Sequence, residues 1–147
     1  MSIKIPLRFR SHIDLDLLSV GIRFNLIRLL CDVDFQMSES WSPKYQAIID
    51  TGSPANIIPR HIWTQATHRI ILPEKLSLMG IGAGNVSGYL GEVTARISYR
   101  KKSSDEITVR AFLLDSDAAP LIFGFEDFLS KGILFSNFPK NVASLQL

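Results

Sequence analysis

Ala47-Ile48-Ile49-Asp50-Thr51-Gly52-Ser53, followed shortly by Ile57-Ile58-Pro59, is the stretch on which the reading of this chain turns. Tyr45–Ile49 alternates as a short strand of period two and closes on the apolar doublet Ile48-Ile49. A carboxylate at the exit of such a strand is poorly solvated, so its ionisation depends heavily on its neighbours. Gly52 allows a tight turn that brings its N–H back to the acid, and Thr51 and Ser53 supply hydroxyls to the same loop. A plain turn, with Asp50 as its cap and Gly52 at positive φ, is the competing reading. The apolar segments Ala47–Ile49 and Ile57-Ile58 speak against it. A turn that only reverses the chain needs no hydrophobic strand on both sides.

Outward from this loop the pattern is one of short strands. Ile3–Phe9 alternates, as does Ile22–Phe35 in two pieces around Leu29-Leu30, and polar Gln36–Ser42 reads as a loop. Pro59 suits the first position of a short helix over Arg60–Thr67. Leu76–Met79 and Val86–Tyr99 read as strands joined by a glycine-rich turn, with Lys101–Glu106 a polar connection to the strand Ile107–Leu114. Glu126–Lys131 is expected to be a brief helix stopped by Gly132 at its C′ position. Ile133–Phe135 and Val142–Leu147 form a closing hairpin around Pro139-Lys140-Asn141. The class is mainly β, in a single domain spanning residues 1–147.

The 147 residues suffice for one hydrophobic core, and 46% apolar against 20% charged residues is a globular balance. Sixteen basic and 14 acidic residues give a net charge of only +2. The one basic run, Arg100-Lys101-Lys102, is followed at once by Asp105 and Glu106, so no nucleic-acid partner is expected. Cys31 is the only cysteine, which excludes an intrachain disulfide or a thiol-rich metal site. Residues 1–30 lack the apolar core of a signal peptide, and no stretch approaches the roughly 20 apolar residues of a membrane span. The expected compartment is the cytoplasm, with no membrane association. His12, His61 and His68 show no metal-ligand spacing, and neither metal nor cofactor is called for. The spacing of Gly80, Gly82, Gly84, Gly88 and Gly91 fits no phosphate-binding loop and suits a hairpin lid.

Three segments in order carry a family likeness. Ala47–Ser53 with Ile57-Ile58-Pro59 resembles the active-site loop of the retropepsin-like aspartic peptidases. Leu78-Met79-Gly80-Ile81-Gly82-Ala83-Gly84 resembles their flap hairpin. Leu121-Ile122-Phe123-Gly124, with Glu126-Asp127-Phe128-Leu129, is similar to the apolar-apolar-glycine motif and helix beneath that loop. The resemblance runs from about Ile22 to the C-terminus. It implies a retropepsin-like closed β-barrel, hydrolysis of peptide bonds, and Asp50 as catalyst. It assigns Thr51 to a hydrogen-bond pair crossing a dimer, Gly52 to a backbone contact with substrate, and Gly80 to Gly84, with Ile81, Gly82 and Ala83 near the tip, to the flap. Ile57 and Ile122 line apolar substrate pockets or belong to the core, and for Ile48 the core is the expectation.

Aspartic peptidases use two carboxylates, one drawing a proton from water while the other donates to the scissile carbonyl. No second Asp-Thr-Gly or Asp-Ser-Gly occurs here; Asp14, Asp16, Asp32, Asp34, Asp115 and Asp117 all lack the glycine turn. A two-fold axis beside Asp50 supplies the twin, so a homodimer is expected, with a peptide or protein as substrate. Val142–Leu147 and, second, Ile3–Phe9 are strands available to pair across that axis or to complete the subunit's own sheet. Two positions depart from the family pattern. Pro54 has no N–H to hold a substrate main chain. Phe125 stands where viral relatives carry a dimer-tying arginine. Ser53, with a hydroxyl within reach of the outer oxygen of Asp50, is expected to favour the ionised acid. The alternative function is a retropepsin-fold peptide-binding or dimerisation module with little or no turnover.

Overall fold

The computed structural model describes residues 3–79 and 85–147. Thirteen strands are present among them: β1 (Lys4–Pro6), β2 (Arg8–Ile13), β3 (Asn25–Phe35), β4 (Tyr45–Ile49), β5 (Asn56–Ile58), β6 (His68–Ile70), β7 (Leu76–Leu78), β8 (Val86–Tyr99), β9 (Lys102–Ser103), β10 (Ile107–Leu114), β11 (Ile122–Phe123), β12 (Ile133–Asn137) and β13 (Val142–Gln146). Two short helices, α1 (Leu15–Ser19) and α2 (Arg60–Trp63), complete a mainly β fold. None of the described helices is long and apolar enough to cross a membrane.

Period-two patterning builds the core. On β3, Leu29, Cys31, Val33 and Phe35 face inward, and on β4 Ala47 and Ile49 do the same. Along β8 and β10, Val93, Ala95, Ile97, Val109, Ala111 and Leu113 close the other side. The main sheet runs β2-β3-β4-β11-β5-β10-β8-β6, with β7 and β9 also on β8. β3 pairs with β4 on the one hand and with β8 on the other, from Asp32↔Ser98 to Phe35↔Ala95. The path of pairings through β3, β4, β11, β5, β10 and β8 therefore returns to its start.

A second sheet of three strands, in the order β1-β13-β12, joins the two ends of the chain. β13 lies between β1 (Ile5↔Leu145) and β12 (Leu134↔Leu145), so both of its edges are filled within the subunit. Of the two alternatives for Val142–Leu147, pairing with a second copy or completing the subunit's own sheet, the structure shows the second. The backbone groups of this sheet's outer strands, β1 and β12, are the ones left for such pairing.

Several element boundaries differ from expectation. Residues 22–35 form one strand from Asn25 on, and residues 3–9 divide at Leu7 into β1 and β2. The helix after Pro59 lasts only for Arg60–Trp63, with turn hydrogen bonds continuing as far as Ala66, which is buried in the core, and Trp63 is anchored by its indole N–H to Leu114 O at 2.7 Å. The expected helix over Glu126–Lys131 is instead a turn followed by a single 3₁₀ turn, Leu129–Lys131. Gly132 is extended at φ −128° and caps no left-handed end; its hydrogen side chain matters because a Cβ would stand 2.8 Å from Gln146 O.

Candidate active site

β4 delivers Asp50. With Ala47 and Ile49 committed to the core, the alternation turns Ile48 and then Asp50 to the outer side, where Asp50 is half-buried. Its backbone N–H still donates to Phe123 O at 3.0 Å, so the acid leaves the sheet from a fixed last rung. Gly52 N–H donates to Asp50 Oδ1 at 2.8 Å, and Ser53 N–H to Asp50 O at 3.2 Å. A Cβ on Gly52 would sit 3.2 Å from that same Oδ1, tight for any side chain. Gly52 does not take a positive φ; glycine is needed here for close approach to the carboxylate.

The loop is bound to the strand beneath it. β11 inserts between the two strands flanking the loop, parallel to β4 (Ile122↔Ile48) and antiparallel to β5 (Ile122↔Ile57). Phe125 N–H donates to Ser53 O and Glu126 N–H to Pro54 O, at 3.0 and 3.1 Å. Gly124 passes so close beneath that a Cβ would lie 2.2 Å from Ser53 O and 2.6 Å from Ala55 O. Only glycine fits. Below it, Phe123 and Phe128 pack with ring centres 4.4 Å apart, both fully buried.

Asn56 holds this crossing together, a role its place before Ile57-Ile58 does not announce. Fully buried, it donates from Nδ2 to Arg110 O at 2.9 Å and Glu126 O at 2.7 Å, and accepts Gly124 N–H on Oδ1 at 2.9 Å. A lone amide inside an apolar strand was the only signal in the sequence, since buried amides need partners. Ser53 corrects an expectation: its hydroxyl donates to Ala55 O at 2.6 Å. Its one proton is spent on the loop's own backbone and is not available to Asp50.

Asp50 borders two recesses. A cleft of about 640 Å³ runs from Asp50, Gly52 and Ser53 past Ile57, Phe112 and Ile122 to Leu78 and Met79, beside the β7–β8 hairpin. A smaller one of about 320 Å³ lies between Ile27, Arg28 and Ile48 on one side and Leu134, Ser136 and Phe138 on the other, with Thr51 at its margin. Asp50 is the only carboxylate in either lining among the described residues. Ile57 is buried and Ile122 half-buried, in a small apolar cluster with Val86, Leu114 and Ala119 that is separate from the main core. Ile48, expected in the core, is half-buried and faces the smaller recess.

Comparison with protein-family models, curated proteins and solved structures finds no match for this chain. The site is therefore read from its own geometry. Thr51 is exposed, and its hydroxyl has no hydrogen-bond partner among the described residues. Pro54 is exposed at the rim of the larger cleft. The legs of the hairpin are in register, Leu76↔Gly88 to Leu78↔Val86, while Gly80, Ile81, Gly82, Ala83 and Gly84 lie outside the described residues. No cluster of metal-ligating side chains occurs among the described residues.

Proposed function

We propose that this protein is an aspartic endopeptidase of retropepsin type, with a closed barrel formed by the returning path of strand pairings, and that it works as a homodimer. The observation that carries the reading is the setting of Asp50. A single carboxylate, oriented by the Gly52 N–H at 2.8 Å, stands between a largely apolar cleft that reaches Leu78 and Met79 and a second recess lined by Ile27, Arg28, Ile48, Leu134, Ser136 and Phe138. One carboxylate does not suffice for acid and base roles at once. A two-fold axis at the mouth of the smaller recess sets Asp50 against Asp50 of the partner subunit, and two such acids share one proton.

In that dyad the ionised acid takes a proton from water and the protonated acid donates to the scissile carbonyl oxygen. The Gly52 N–H, donating to Oδ1, fixes the orientation of the carboxyl group. Thr51, without a side-chain partner among the described residues, has its hydroxyl available for the facing loop. An extended peptide fits the larger cleft, whose lining of Ile57, Leu78, Met79, Phe112 and Ile122 favours apolar side chains near the scissile bond.

Pro54 favours a second reading, a peptide-binding module of the same fold, because the rim of the cleft loses a donor there. Peptide cleavage that disappears in Asp50→Asn, with sedimentation still reporting a dimer, is the expected result. Peptide binding without cleavage in the unsubstituted protein would select the binding module instead.

A further inference from the structure

The outer row of β3 reads Arg28, Leu30, Asp32, Asp34, and its acids are each matched by a cation. Asp32 takes Arg8 at 2.8 Å, and Asp34 takes Arg96 at 3.0 Å and the Ser98 hydroxyl at 3.1 Å. At the end of the row nearest Asp50 the pattern breaks. Arg28 stands directly opposite Arg10 of β2, cation against cation. Like charges at facing positions of adjacent strands repel. Arg10 turns to Gln46 Oε1 at 3.3 Å, whereas Arg28 is exposed and has neither hydrogen bond nor ion pair among the described residues. Among the described residues, it alone joins Asp50 in lining both recesses.

We infer that Arg28 is a specificity residue, and that the cleft takes peptides carrying a glutamate or aspartate close to the scissile bond, the carboxylate seated on the Arg28 guanidinium. The inference rests on the peptidase reading of the same cleft. The physical case is one of complementarity. The rest of the larger lining is apolar or uncharged, apart from Asp50, so a substrate carboxylate there finds one cation and one anion that is already held by Gly52. A guanidinium presents a planar fork of donors that matches a carboxylate at two points, and such charge-assisted pairs are the stronger hydrogen bonds. Arg10 behind Arg28 adds to the positive potential without reaching either recess.

The test compares peptides that are identical except for glutamate or its isostere glutamine at one position at a time on either side of an apolar scissile pair. At one or more positions glutamate should raise kcat/KM about tenfold over glutamine, the worth of one charge-assisted pair. Raising the salt should shrink that ratio. In Arg28→Gln the ratio should fall to about one, and in Arg28→Glu a lysine peptide should overtake the glutamate one. The same peptides are titrated against Asp50→Asn by fluorescence anisotropy, so that the charge preference is read even where no bond is broken. A glutamate-to-glutamine ratio of one throughout, in cleavage and in binding, overturns the inference. A ratio that survives Arg28→Gln does so too, as does a dimer weakened by Arg28→Gln with the ratio unchanged, which assigns the cation to the subunit interface. Loss of cleavage alone, with the binding preference intact, counts against the peptidase reading and not against Arg28.

Discussion

Asn56 and Gly124 are where single residues matter most to the loop that carries Asp50. Asn56→Leu leaves the Gly124 N–H and the Arg110 and Glu126 carbonyls without partners in a dry site, and should cost about 3 kcal/mol or more in urea unfolding. Gly124→Ala forces a methyl into the Ser53 and Ala55 carbonyls and should cost about 3 kcal/mol, with peptide cleavage falling further than stability as the loop is displaced. Ser53→Ala removes only the bond to Ala55 O, so it should lower stability by about 1 kcal/mol and leave the pH–rate profile superimposable. At this scale the sequence was a good guide to one piece of geometry, the return of the Gly52 N–H to the Asp50 carboxylate at the end of an apolar strand. It was a poor guide to Ser53 and Asn56. Which of several nearby acceptors a hydroxyl or amide chooses depends on strands that meet only in the folded chain.

Among the elements, the tie between β10 and the turn after β11 gives a pH-dependent prediction. The Arg110 side chain donates to Asp127 Oδ2 at 2.8 Å and its backbone N–H to the same oxygen at 3.1 Å, and Arg110 also pairs with Glu126. The Arg110 side-chain bond holds the Asp127 carboxyl down at about 2. A depressed carboxyl stabilises the fold fully above the unfolded value of about 3.9, and that contribution is lost as the pH falls through the folded value. The stability difference between the unsubstituted protein and Asp127→Asn should therefore be constant above about pH 5 and shrink between about pH 4 and pH 2, as chemical denaturation at each pH will report. Asparagine tolerates the left-handed φ of 59° found at Asp127, so the substitution isolates the charge. Long strands with clean alternation, β8 and β10, were legible in full. The two-residue strand β11 and the helix α1, which buries none of its residues and is started by Asp14 accepting Leu17 N–H at 3.0 Å, were not. Elements so short have too few positions for a period to show.

For the whole molecule, pairings between distant segments were beyond reach of periodicity: nothing in the pattern of Asn25–Phe35 says that it meets both Tyr45–Ile49 and the far end of Val86–Tyr99. The filling of both edges of β13 likewise depends on β1 arriving from the other terminus. On the homodimer reading, that topology shifts the expected dimer surface from β13 to the neighbourhood of β12, where Ile133 and Phe135, on one face of the strand, expose more than half of their surface. Apolar side chains displayed together in this way mark contact surfaces. Phe135→Glu should weaken the dimer about tenfold or more in sedimentation, while the stability of the subunit changes by no more than about 0.5 kcal/mol.

The central claim is that one active site draws its two acids from two chains, and mixing tests it most directly. Unsubstituted protein is titrated with Asp50→Asn at constant total concentration, after exchange of subunits, and peptide cleavage is followed. If each site needs Asp50 from both subunits, activity falls as the square of the unsubstituted fraction, to about a quarter at an equal mixture. A linear fall, to about half at an equal mixture, would mean that each chain works alone and would contradict the account.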